Sequence, residues 1–285
     1  MKRLLLLPVM IGLAVSAPAL SASPEGAGAE QIAANAKAKR LGEQIFRHDQ
    51  AAWKASDELN AQLRAENRPE FLTYMTEELD NGNVRVVFYT KIDEKLFEFV
   101  VFEIDGGNVV YAKMHDDPKQ HPLSDFLLGQ VAARDAAMQE GARQQLPLCR
   151  SGSANFVTLP PDEDGMVSVY ILSPPVTPGR FPIGGHYLFR VNAEGKPVSG
   201  RAFENSCLDG PRLERYVPNG PTSFPFVHQL DNHPTEIHHF AARHMNVPLS
   251  ITAAELTWEI DYTSWTAEEI AAGESLMIGA APTQP

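Results

Sequence analysis

Apolar and polar positions along this chain change their spacing twice in the first half, and each change marks a different kind of element. From Glu30 to Glu66 the residues are mainly Ala, Lys, Glu, Gln and Arg, all strong helix formers. Within that stretch Leu41, Ile45, His48, Ala52, Ala55, Leu59 and Leu63 recur at steps of three and four, the stripe of a helix with one buried face. The pattern predicts one long helix, or two broken near Asp49, ended by Pro69. His48 on that stripe reads as packed or rim-exposed, and not as a ligand.

The period then falls to two. Strand-like runs flank Asp80-Asn81-Gly82-Asn83 and again Asp105-Gly106-Gly107-Asn108, and Asn-Gly between alternating runs is a strong hairpin signal. Four strands in sequence predict an antiparallel meander. Helical spacing returns in SDFLLGQVAARDAAMQEGAR, with Ser124 placed as the cap and Gly141 near the end. Beyond it the chain is mostly short strands: ANFVTLP, MVSVYILS, GGHYLFRVN, VSGRAFEN, FPFVHQL and LTWEIDYTSW, with most of the 22 prolines between them. Thr266-Ala267-Glu268-Glu269 has the capping-box form that opens a short last helix.

These periods imply an α+β fold: a long N-terminal helix, an antiparallel meander and a second helix, followed by a mostly antiparallel β region. The N-terminal MKRLLLLPVMIGLAVSAPALSA joins a basic start, an apolar run and small residues, the form of an export signal cleaved after Ala22 or Ala19. Its apolar run is shorter than the roughly 20 residues a spanning helix needs. The expected organisation is therefore a signal peptide (1–22), a linker (23–29), a helix/meander/helix unit (30–146), a β-rich unit (147–279) and a tail (280–285).

Charge narrows the partners. Without Lys2 and Arg3 the chain keeps 22 basic against 36 acidic side chains, a balance of −14. That field repels nucleic-acid phosphates and anionic membranes. A cation or metal is the easier charged ligand, with an envelope protein or a small ligand as the other partner to expect, and no segment after the signal is both long and apolar enough to span a bilayer. Cys149 and Cys207 are the only cysteines, and in an oxidising compartment they are expected to form a disulfide. A periplasmic or secreted location follows from the signal and the pairing together.

Candidate chemistry concentrates in HQLDNHPTEIHHFAARH, residues 228–244, which carries five of the nine histidines. As a helix it would point His238, His239 and His244 in three separate directions. As a strand it would put Glu236 and His238 on one face, with His244 about 20 Å from His238 at about 3.3 Å per residue. Neither form makes a metal site alone. Such a site would need residues from elsewhere, and the candidate ligands are His186, His228, His233, Glu236 and His238, with 115–121 (HDDPKQH) as a further source. Asp231-Asn232-His233-Pro234 before the segment and Met245-Asn246 after it favour a strand running by hairpin into PLSIT, with a helix as the alternative. The Gly184-Gly185 pair before His186 reads as a bend or a bulge, with close backbone approach to a ligand as the alternative.

There is no H-E-x-x-H, G-x-S-x-G, S-x-x-K, P-loop or G-x-G-x-x-G. In order, Cys149, NFVTLPP, VYILSPP, GGHYLFRV, NSC207 and PTEIHHF resemble uncharacterised exported proteobacterial proteins over about residues 145–245. The resemblance implies a shared fold and the paired cysteines, and brings no activity or site residues. The reading is an exported, non-catalytic binding or envelope-associated module without a cofactor. The alternative is a zinc or copper binder or metal-dependent hydrolase using His186 and the 228–244 histidines. A hydrolase with a dispersed triad ranks third.

Overall fold

One continuous helix, α1 (Ala29–Gln62), organises the computed structural model, which describes residues 23–63, 68–149, 154–215, 217 and 223–263. The expected signal segment (1–22), the last helix at 266–269 and the tail (280–285) lie outside the described residues. The predicted stripe is the buried face: Ile45, His48, Ala52, Ala55 and Leu59 are all buried, and there is no break at Asp49. No helix among the described residues is long and apolar enough to cross a membrane.

The meander forms as expected. Strands β1 (Thr73–Glu78), β2 (Val84–Ile92), β3 (Lys95–Asp105) and β4 (Asn108–Met114) pair antiparallel in sequence order. Its three hairpins turn at Gly82, at Asp93-Glu94 and at Gly106-Gly107, and all five residues have positive φ. One face packs Val86, Phe88, Val100 and Phe102 under Ala51, Ala55 and Leu59 of α1. The other packs Met75, Val87, Tyr89 and Val101 against Leu127 and Val131 of α2 (Asp125–Arg143), whose cap is Ser124 accepting from the Leu127 N–H at 3.2 Å.

Ala133 and Ala137 on the later turns of α2 cover a second antiparallel sheet, ordered β5 (Asn155–Thr158), β6 (Val167–Leu172), β8 (Tyr187–Val191), β9 (Pro197–Ala202). The opposite face of that sheet enters the largest core, shared with Ile45 of α1 and with Ile237, Phe240 and Met245. A two-stranded ribbon pairs β7 (Arg180–Pro182) with β10 (Asp209–Pro211). The Cys149–Cys207 disulfide closes beside it. Gly184 and Gly185 are a close approach: a Cβ on Gly185 would lie 2.2 Å from Cys149 Sγ, and one on Gly184 would lie 1.9 Å from the Ser206 carbonyl oxygen.

Residues 235–245 are a helix, not the favoured strand. α3 spans Glu236–Met245, and Ile237, Phe240, Ala241 and Met245 form an apolar stripe at steps of three, one and four. Thr235 is the N-cap, with the His238 imidazole in the third position accepting its N–H at 2.9 Å, the part a Glu or Gln usually plays. Asn246 closes the other end in the left-handed conformation. The expected hairpin into PLSIT is absent for the same reason. β11 (Phe224–His228) crosses through α3 to pair in parallel with β12 (Leu249–Ala253), and β12 then pairs antiparallel with β13 (Leu256–Ile260). α3 lies directly on α1, because Gly42 lets the backbones meet: a Cβ there would sit 2.5 Å from His239 Cβ.

Candidate functional site

The start of α3 faces two ways, and the two sides have different chemistry. Inward, His238 reaches a buried polar network with His228 at the end of β11, Glu204 just past β9, and Asp231 in the β11–α3 loop. His228 Nδ1 is 2.6 Å from Glu204 Oε1, and its Nε2 is 2.9 Å from Asp231 Oδ2. Arg201 closes the chain by donating to Asp231, with one contact at 3.1 Å. His238 Nε2 lies 3.3 Å from Glu204 Oε1, and the two imidazoles cross edge to face at 4.6 Å.

Burial alone would lower the His228 pKa, but hydrogen bonds to Asp231 and Glu204, with their charges, outweigh it and raise it to about 9. Burial would raise Asp231, yet His228 and Arg201 hold it well below the usual carboxylate range. Glu204 is lowered in the same way, its two histidines prevailing over burial. Two cations, Arg201 and the His228 imidazolium, thus face two carboxylates, and the set is neutral. His238 is lowered, first by burial and then by the neighbouring His228 charge.

Glu204, His228 and His238 place ligand-type atoms within 4.8 Å of one another. A metal needs a lone pair from each imidazole. Here His228 is bracketed by carboxylates at both nitrogens and, as an imidazolium, donates at both. His238 Nδ1 accepts the Thr235 N–H, which puts its own proton on Nε2, the atom aimed at Glu204. The donor set has metal-like spacing, and a metal would have to displace the protons these positions carry.

Outward, Glu236 and His233 line a cleft of about 550 Å³ bounded by α1, β6, β8 and the 159–162 loop. Tyr170 donates to Glu236 Oε1 at 3.1 Å. Its phenol is pushed well above the normal range, first by burial and then by the Glu236 charge. Asp162 accepts from Arg190 across the floor, and Arg190 also donates to Ser168 Oγ at 3.2 Å. Leu41, Leu159 and Leu188 supply apolar wall, while Lys37 stands exposed on α1 with no ion-pair partner among the described residues.

Of the five candidate ligands, His228 and His238 come together in the buried network, while His233 and Glu236 line the cleft. His233 is half-buried at the cleft and donates from Nδ1 to the Pro234 carbonyl at 2.8 Å. His186 is buried beside the disulfide; Nδ1 accepts from Ser173 N–H at 3.2 Å and Nε2 donates to the Pro182 carbonyl at 3.1 Å. Burial holds it neutral, with its pKa lowered to about 4. His239 and His244 tie α3 to α1, through Asn35 at 3.0 Å and Asp49 at 3.1 Å respectively. In the 115–121 segment, His115 and His121 stack at 3.7 Å beside Glu98. Sequence reasoning missed Glu204, Asp231, Arg201 and Tyr170. Only Asp231 left a trace, three residues after His228 in a turn-forming stretch.

No family model and no curated protein matches the chain. Among solved structures, the C-terminal domain of Bacillus megaterium YpeB matches at 15% identity over 56% of this chain and 66% of that one, just under two thirds, with a TM-score of 0.20. Similarity at that level carries no argument about fold or function.

Proposed function

We propose that this is an exported, periplasmic or secreted, non-catalytic binding protein whose ligand occupies the cleft between α1, β6 and the start of α3. The observation that carries the reading is the Glu236 carboxylate at the cleft wall, fixed through one oxygen by Tyr170 and flanked by leucines. Such a wall suits a small molecule or peptide end bearing an ammonium group and a short apolar body. The disulfide supports an extracytoplasmic setting. The histidines support binding over catalysis, since those of the 228–244 segment are engaged in hydrogen bonds or contacts internal to the protein.

The test is a thermal-shift and calorimetric screen of amino acids, amines and short peptides. A ligand is expected to raise the melting temperature of the native protein and to lose at least 10-fold in affinity in Glu236→Gln, which keeps the shape and the Tyr170 contact. Equal binding by Glu236→Gln overturns the site.

The spacing of Glu204, His228 and His238 favours a second reading, a zinc or copper centre. Elemental analysis of protein purified from its native compartment separates the two. Substoichiometric metal is expected, and stoichiometric zinc or copper lost in His238→Ala would establish the second reading instead.

A further inference from the structure

We propose that the cleft at the C-terminal end of α3 is a separate site for a small oxyanion, a carboxylate or phosphate monoester on a ring-sized apolar body. Arg212 and Arg243 both line this space of about 510 Å³, together with Phe46, Leu213, Asn246 and Tyr262. Seven arginines of the described chain pair with carboxylates: Arg47, Arg85, Arg134, Arg143, Arg180, Arg190 and Arg201. Arg212 and Arg243, like Arg40, Arg68 and Arg215, make no such pair among the described residues, and these two share one cleft. In a chain with a formal charge of −12, two guanidiniums left without carboxylates in one cleft are a local reversal of the field.

Arg243 is also held in place. Its guanidinium carbon lies 4.9 Å from the Phe46 ring centre and 5.1 Å from that of Tyr262. Contact with ring faces leaves the N–H edge available, and that edge is the fork that grips carboxylate or phosphate with two hydrogen bonds. His244 forms the inner wall. Burial lowers its pKa despite the Asp49 carboxylate 3.1 Å from Nε2, and the nearby Arg212 and Arg243 charges act in the same direction as burial. A helix C-terminus disfavours anions through its free carbonyls. Here two are used: Ala242 accepts from Asn246 N–H and Met245 from Leu213 N–H, at 3.1 and 2.8 Å. The one acidic residue lining the cleft is the exposed Glu214. The volume exceeds a bare ion, and Phe46, Leu213 and Tyr262 give a ring something to pack on.

Calorimetry with inorganic phosphate, phenyl phosphate and benzoate tests this directly. At least one ring-bearing anion is expected to bind saturably and 10-fold or more tighter than inorganic phosphate. Which of phenyl phosphate and benzoate is preferred identifies the oxyanion. Arg243→Lys keeps the charge but removes the fork, and is expected to weaken binding at least 10-fold. Arg212→Gln should do the same, and Glu214→Gln should tighten binding. Glu236→Gln should leave it unchanged, so the two clefts fail or succeed independently. Absence of saturable binding by either ring-bearing anion, or equal affinity in folded Arg243→Lys and Arg212→Gln, overturns the proposal.

Discussion

Lowering the pH from 7.5 to 5 should strip this protein of much of its stability, and the buried histidines set the magnitude. His48 and His186 have their pKa lowered to about 4, and His239 to about 3, in each case mainly by burial. In the unfolded chain each returns to 6.5. A histidine with a depressed folded pKa stabilises above 6.5 and loses that contribution as pH falls toward the folded value, because the unfolded chain takes up the proton first. Each pH unit below 6.5 removes about 1.36 kcal/mol per histidine until the folded value is reached. At pH 5 the loss is about 2 kcal/mol for each of the three, or about 6 kcal/mol together. His238 and His244, also lowered, act in the same direction. Domain stability is typically about 5–15 kcal/mol, so the loss is comparable to the whole. Urea denaturation followed by far-UV circular dichroism, at constant ionic strength and half-unit pH steps, measures it. The midpoint should fall steeply below pH 6.5, and His239→Gln should shallow that fall by about one proton. Stability that stays level from pH 7.5 to 5 refutes the reasoning, because it would mean these rings are charged or solvated in the folded state.

Removing the imidazolium from the buried network should act with the opposite pH sign. His228→Ala leaves Glu204 and Asp231 without their shared cation and should cost about 3–5 kcal/mol at pH 6.5. Since the folded pKa of His228 is raised to about 9, its contribution is full below 6.5 and fades as pH rises through 9. The difference between native and variant denaturation midpoints should therefore shrink as pH rises from 6.5 to 9 and level off above it, and a constant difference across that range refutes the assignment. Gly185→Ala should destabilise by about 2–5 kcal/mol, combining the left-handed backbone with overpacking against Cys149 Sγ. The part due to Cys149 should diminish in a Cys149→Ala, Cys207→Ala background, as read from chemical denaturation of both pairs; equal loss in both backgrounds would assign the effect to the backbone and to Ser173 Oγ, 2.6 Å from the added Cβ.

What was legible in the chain was local. The stripe from Ile45 to Leu63 and the turns at Asn81-Gly82 and Gly106-Gly107 each carry their information within a few residues, and they fold as read. Residues 235–245 misled because alternation and helical spacing both fit a segment rich in histidine. A histidine scored as polar hides the fact that His238, His239 and His244 are buried and work as hydrogen-bonding core residues. The cap was equally hidden, since His238 fills the place where Glu or Gln signals a helix start. The clefts were beyond local reading altogether. Glu236 meets Tyr170 across 66 residues of chain, and the Arg243 clamp joins Phe46 to Tyr262. Both meetings depend on α3 lying against α1 at Gly42, a contact only an unsubstituted Cα permits. Filling that position, as in Gly42→Ala, pushes α3 off α1 and should disturb both clefts at once. A substitution remote from either ligand is thus the one expected to reach both.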